Sequence, residues 1–255
     1  PAGDDFGICF EVLDKNKRGF VKAAAGNVHD TDYTIALEQN GLKVSTVEHL
    51  LASVRFGGVD NCLIRIKGSE VPIMDGSALP FAKKLAEAGI KKLKKKRRIF
   101  APGRPGNLVF QDGGKIRSLM VFPNDCLEIA YMVIYDNPLI GTQFFRIKID
   151  AGNFIKEIAP ARTFGWKEEI EEEKKMGLIR GASLENAVCF GRNKVVNKEG
   201  LRFPDEPVRH KILDLLGAVA LLPFHLNAFI FAFRAGHAPD VQMMKKINTW
   251  AKKEG

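Results

Sequence analysis

Residues Glu206 to Gly217 read EPVRHKILDLLG, and the rest of the chain takes its arrangement from this stretch. It reads as a helix on which His210 and Asp214 stand four residues apart, so the two side chains share a face with Cβ atoms ~5–6 Å apart. An imidazole and a carboxylate so placed can grip one divalent ion, with zinc the first expectation. A solvated ion pair has the same spacing, so the motif needs a third donor. Catalytic zinc usually takes three protein ligands and keeps one position for water. His49 stands in a comparable context, in the opening turn of a second helix behind Ser45 and Thr46, which are suited to N-caps.

Aligning His49 with His210 exposes an internal repeat. Each half runs helix, strand, small-residue turn, helix; Gly76 and Ala238 fall just inside the turn before the last helix, and FAKKL at 81–85 sits opposite MMKKI at 243–247. Two related α+β domains facing each other would let His49 and His210 converge. The first half reads as a strand over Phe6–Leu13, a polar turn (Asp14–Gly19), a strand over Phe20–Ala25 and a poorly periodic surface loop from His29 to Gly41. There His29, beside Asp30 and Asp32, is a further candidate ligand but a better loop residue. A helix ending at Gly57 and Gly58, a strand over Asn61–Ile66 and a helix over Leu79–Ala88 follow. The lysine-rich run and APGRPG at 101–106 place a boundary near residue 98, giving domains 1–98 and 99–255. Strands are expected at Leu108–Gln111, Ser118–Val121, Leu127–Ile134, Gln143–Ile149 and Ala228–Phe233. A charged helix is expected over Lys167–Met176, then a turn and short strand within 177–190, a tight turn over Ala235–Pro239 and a closing helix over Val241–Lys253.

Composition narrows the function. The chain has 255 residues, 45% hydrophobic and 27% charged, with a net charge of +9, ordinary for a globular protein. Lys91, Lys92, Lys94, Lys95, Lys96, Arg97 and Arg98 carry seven of those charges. No aromatic residue is interleaved to stack on bases, so the run reads as a solvated linker and no nucleic-acid partner is expected. Cys9, Cys62, Cys126 and Cys189 form no CxxC pair, which suggests neither a thiolate metal site nor a disulfide framework and fits a reducing, cytoplasmic setting. The apolar run Leu215–Phe233 is broken by Gly217, Pro223, His225 and Asn227, so no membrane span is expected. The start at Pro1 rather than Met leads us to expect an upstream portion.

Seven motifs in order carry a resemblance over nearly the whole chain: STVEHLLAS (45–53), GVDN (58–61), EVPIMDGSALPF (70–81), ARTFG (161–165), EGLRF (199–203), EPVRHKILD (206–214) and AGH (235–237). Together they resemble the bacterial UDP-3-O-acyl-N-acetylglucosamine deacetylases of lipid A biosynthesis. The family's first strand and its neighbouring turn are missing from the match. The resemblance implies an α+β fold of two related two-layer α/β domains packed face to face with the active site between them. It implies zinc as cofactor, a UDP-linked acylated amino sugar as substrate and, we expect, a monomer. Carried over residue by residue, it makes His49, His210 and Asp214 the metal ligands. Glu48 becomes the general base, His237 the cationic acid that protonates the departing amine, and Thr163 a hydroxyl holding the oxyanion. Lys211 would contact the diphosphate, Phe164 the nucleotide portion, and Arg234 a phosphate.

One departure stands out. Where the family usually reads HKxxDxxGD, this chain has HKILDLLGA, with Ala218 in place of the acid that pairs with the catalytic histidine; Asp240, beyond AGH, is the candidate substitute. A catalytically impaired homologue that binds zinc and UDP-sugar in a regulatory role is therefore the alternative reading. Acyl-chain length would depend on an apolar passage built from residues 167–190.

Overall fold

A computed structural model describes residues 1–14, 17–168 and 183–254. Residues Ile8–Val12 are buried throughout and lie in β1 (Ile8–Asp14), the middle strand of a three-stranded sheet. β2 (Lys17–Lys22) pairs antiparallel with it, beginning three residues earlier than the expected strand at Phe20. The expected loop from His29 to Gly41 is interrupted by sheet: β3 (Val28–Asp30) and β4 (Ala36–Gln39) fall in it and, with β5 (Leu42–Val44) just beyond, form a second three-stranded unit. The cause is local. Asn40 and Gly41 take φ of 54° and 73°, the two-residue hairpin turn that Asn-Gly favours, and Ile35, Leu37, Leu42 and Val44 around it are buried. His29 is exposed in β3, against Lys43 and Glu38.

Next come α1 (Glu48–Phe56), β6 (Cys62–Lys67), parallel to β1, and α2 (Leu79–Ala88). Ser45 and Thr46 do not cap α1. Thr46 adopts φ 59°, and their hydroxyls reach the Ser69 carbonyl and the Glu70 carboxylate, tying the chain that enters α1 to the segment beyond β6.

The second half contains β7 (Ile99–Phe100), β8 (Gly106–Asp112), β9 (Lys115–Pro123), β10 (Glu128–Ile134), β11 (Thr142–Lys148), the short turn α3 (Ala151–Asn153), β12 (Phe164–Trp166), β13 (Val188–Phe190), α4 (Glu206–Val219), β14 (His225–Leu226), β15 (Ala228–Phe233) and α5 (His237–Glu254). Five of the strands form a sheet in the order β11-β10-β15-β9-β8, parallel only between β10 and β15. β15 alternates buried Ala228, Ile230 and Ala232 with half-buried phenylalanines, the period-2 pattern of a central strand. α4 lies against β10 and β11, α5 against β8 and β9, and the two helices pack on each other. The helix–strand–helix order occurs twice, as α1–β6–α2 and α4–β15–α5.

One further expectation changes, and another cannot be compared. The supposed tight turn over Ala235–Pro239 is already helical from His237, because a proline in the first turn lacks only an N–H that would have no intrahelical partner. The charged helix expected over Lys167–Met176 falls, beyond Glu168, outside the described residues, as do residues 177–182 of the following segment.

The fold class is α+β. α1 packs on both α2 and α4, and one apolar cluster contains buried residues of both halves. Arg55 reaches across from α1 to the carbonyls of Ala220 and Leu222, at 3.4 and 2.9 Å. Asp60 faces His225 and accepts from Arg97 of the basic run, while Lys95 pairs with Asp5.

α1 and α4 come close together at Gly217, where an added Cβ would lie 2.6 Å from the Glu48 carbonyl oxygen and 2.7 Å from its Cα. Alanine would gain ~1 kcal/mol of helix propensity. It would also collide with backbone that cannot rotate away, and overpacking costs about 1–3 kcal/mol. Gly217→Ala is therefore expected to lower the thermal midpoint and to draw His49 away from Asp214; an unchanged or raised midpoint would show that the helices part freely.

Candidate metal centre and active site

α1 and α4 bring His49, His210 and Asp214 together, all buried. One donor atom from each lies within 4.8 Å of the others, and they form the one such trio of His, Cys, Asp or Glu among the described residues. His210 Nδ1 is 3.1 Å from the Ala161 carbonyl oxygen. A carbonyl can only accept, so Nδ1 carries the proton and Nε2 presents a bare lone pair. That lone pair faces Asp214 Oδ1 at 3.4 Å, and His49 Nε2 faces the same oxygen at 3.6 Å. These separations are long for hydrogen bonds. They match the ~3.3 Å expected between two donors each ~2.0–2.1 Å from a tetrahedral ion.

The charges at His210 and Asp214 point the same way. Burial, reinforced by the His49 and Lys211 charges, pushes His210 down to about 3 despite the pull of Asp214. His49 moves the other way: burial opposes its charge, but Asp214 and Glu48 outweigh it and raise it. Asp214 is held well below the usual carboxylate range in spite of burial, chiefly by Lys211 and His210. A neutral imidazole lone pair aimed at an ionised carboxylate is repulsive unless a cation lies between them, and a metal ion fits that requirement. Lys211 Nζ bonds Asp214 Oδ2 at 2.8 Å, which turns Oδ1 toward both histidines in the way outer partners commonly orient ligands.

Neighbouring segments are fastened to this pair of helices. Arg162, 3% exposed, donates its backbone N–H and guanidinium to Glu206 at the start of α4, which sets the Ala161 carbonyl beside His210. Thr163 donates its N–H to Gly76 O and accepts from Val188 N–H, both at 2.8 Å. Gly76 needs its φ of +81°, and a Cβ there would lie 2.1 Å from the Asn186 carbonyl. Glu48 is buried, with its Oε2 accepting the Ile35 N–H at 3.0 Å.

Thr163, Phe164, His210 and Lys211 line one cleft of about 200 Å³, joined by Tyr135, Gly165 and Trp166. The Phe164 ring packs edge-on against His210, and Lys211 Nζ lies 6.0 Å from its centroid. His237 opens α5 and is half-buried. Arg234 follows β15 at φ 49°, donates its N–H to Met132 O, and is outside that lining. Sequence reasoning misses Trp166 and Tyr135. Trp166 stands two residues from Phe164 in β12, so strand periodicity could have found it, whereas Tyr135 arrives from the end of β10 with no local signal.

Residues 1–249 match the family model described as LpxC, UDP-3-O-acyl N-acetylglycosamine deacetylase. Among curated relatives, a UDP-3-O-acyl-N-acetylglucosamine deacetylase of Syntrophotalea carbinolica is 43% identical over 97% of this chain and 79% of its own length. Its counterpart in Geotalea uraniireducens is 39% identical over 98% and 82%. That of Geobacter sp. strain M21 is 40% identical over 97% and 80%. With a matching model over almost its entire length and relatives at this identity, the chain belongs to the UDP-3-O-acyl-N-acetylglucosamine deacetylase family.

Proposed function

We propose that this chain hydrolyses the N-acetyl group of a UDP-3-O-acyl-N-acetylglucosamine, with zinc as cofactor, releasing acetate and a free amine early in lipid A biosynthesis. The observation that carries the reading is the bare His210 Nε2, held in that tautomer by Ala161 and aimed with His49 at one oxygen of Asp214. His49, His210 and Asp214 would hold the ion. When bound, zinc supplies Lewis acidity, polarising a carbonyl and making hydroxide available near neutral pH.

The chain's own groups do the rest. Glu48, with Oε2 fixed by Ile35, uses its other oxygen to take a proton from the attacking water as the new C–O bond forms. The Thr163 hydroxyl donates to the oxygen on which negative charge develops. His237 gives a proton to the amine nitrogen as the C–N bond breaks. Phe164, with Tyr135 and Trp166 beside it, offers the apolar wall of the cleft to the nucleotide portion, and Lys211 its cation to the diphosphate; Arg234 is the outer phosphate contact. The two halves, 1–98 and 99–255, are read as the two domains that close on this site. No helix among the described residues is long and apolar enough to cross a membrane, and we place the reaction in the cytoplasm, carried out by a monomer.

Mass spectrometry of UDP-3-O-acyl-N-acetylglucosamine incubated with the purified protein tests this reading. Loss of one acetyl group with the ester-linked acyl chain intact is the expected result. An unchanged sugar nucleotide in the presence of zinc would contradict it.

A further inference from the structure

The basic run at residues 91–98 takes no part in the chemistry proposed above. Every residue from 86 to 99 is exposed, and residues 89–98 belong to no helix or strand. Residues 88–111 contain no Asp or Glu, so nothing within the segment offsets its charge. Arg97 donates to Asp60 at 2.8 Å, and Lys95 pairs with Asp5. Lys91, Lys92, Lys94, Lys96 and Arg98 have no ion pair among the described residues. The Arg98 carbonyl accepts the His225 N–H at 2.8 Å. Asp60 thus fastens the run to the first half of the chain and His225 to the second, which presents its cations from a held strap.

Aliphatic side chains are set among these charges. Ile90, Leu93 and Ile99 are 53%, 37% and 62% exposed, a burden for a segment that only links two halves. Exposed aliphatics interleaved with cations suit a bilayer interface, where the apolar groups enter the headgroup boundary and the cations meet anionic lipid. Nucleic acid is the poorer match. Its unpaired bases stack on aromatic rings, and residues 86–99 contain none; Phe100, the next residue, packs on Phe224 instead.

We infer that residues 90–99 dock this protein on the surface of an anionic phospholipid bilayer, with Ile90, Leu93 and Ile99 in the interface and the unpaired cations on the headgroups. Docking here leaves the cleft open. Arg97 reaches Asp60 and the Gly58 carbonyl just past the C-terminal end of α1, whereas His49 stands in the first turn of that helix, about 10 Å away along its axis. The inference does not depend on the reaction assigned to the cleft.

The test is co-sedimentation of the full chain with vesicles of phosphatidylcholine alone and of phosphatidylcholine mixed with an equal amount of phosphatidylglycerol. The parent should sediment with the mixed vesicles and stay in solution with the neutral ones. Raising the salt from about 0.1 to about 1 M, which shortens the screening length from about 10 to about 3 Å, should release it. Each cation near an anionic surface contributes about fivefold to partitioning, so replacing Lys92, Lys94 and Lys96 by Gln should weaken binding by about 10²-fold. Leu93→Ser keeps every charge and should still weaken it by about fivefold, through lost apolar insertion. All three lysines and Leu93 are exposed, so circular dichroism and the thermal midpoint should match the parent in both variants. Equal sedimentation with the two kinds of vesicle overturns the inference, as does parent-like binding by either variant. Single-stranded RNA that strips the parent from the mixed vesicles, and binds the triple variant far more weakly, would assign the run to nucleic acid and overturn it as well.

Discussion

His210→Ala is expected to lose about one equivalent of bound zinc and nearly all deacetylase activity while keeping its fold. The metal loss follows from geometry: with three protein donors, removing the imidazole whose Nε2 is bare leaves two, and Asp214 Oδ1 keeps one of the two nitrogens it faces. The fold survives on magnitudes. The substitution strands the Ala161 carbonyl that His210 now bonds, a cost of about 1–3 kcal/mol, and opens a small cavity. Against this, α4 keeps Val208, Ile212, Leu213, Leu215 and Leu216 fully buried, and domains typically hold ~5–15 kcal/mol. Metal analysis and circular dichroism on the same sample check both parts. Full zinc occupancy in this variant would show that His210 is not a ligand.

Glu48→Gln should produce the second largest effect and leave the metal in place. Glutamine keeps the length of the side chain and can still accept the Ile35 N–H that now bonds Oε2 at 3.0 Å, so the start of α1 and the position of His49 are preserved. What disappears is the ability to take a proton from the attacking water. The expected fall in kcat is about 10²–10⁴-fold, with zinc content and KM close to those of the parent. A rate within tenfold of the parent at full zinc occupancy would move the base to another residue. A loss of zinc would instead assign Glu48 to holding the metal site together.

Much of the candidate site is legible in the amino-acid sequence. The HxxxD spacing puts His210 and Asp214 on one helix face, and the repeat aligns His49 with His210, because an i, i+4 relation is local geometry and a duplicated element order survives in sequence. The departures share a physical cause. Ser45 and Thr46 have the hydroxyls of capping residues, but tertiary partners at Ser69 and Glu70 claim them. The Asn40-Gly41 hairpin has its signal in that dipeptide, yet strands of only three or four residues carry too little alternation to stand out from a loop. Pro239 suits the end of a turn, although a first-turn proline is as consistent with the start of a helix. The Ala161 carbonyl that selects the His210 tautomer, and Tyr135 in the cleft, depend on chain segments brought from far away, which no local pattern encodes.

On the proposed function, His49, His210 and Asp214 hold one zinc ion that the reaction needs. The most direct measurement is deacetylation of the sugar nucleotide by metal-stripped protein as zinc is added back in known amounts. Activity should be near zero at the start, rise linearly and level off at about one equivalent per chain. Full activity in the stripped protein, or a rise that shows no break near one equivalent, would contradict the account.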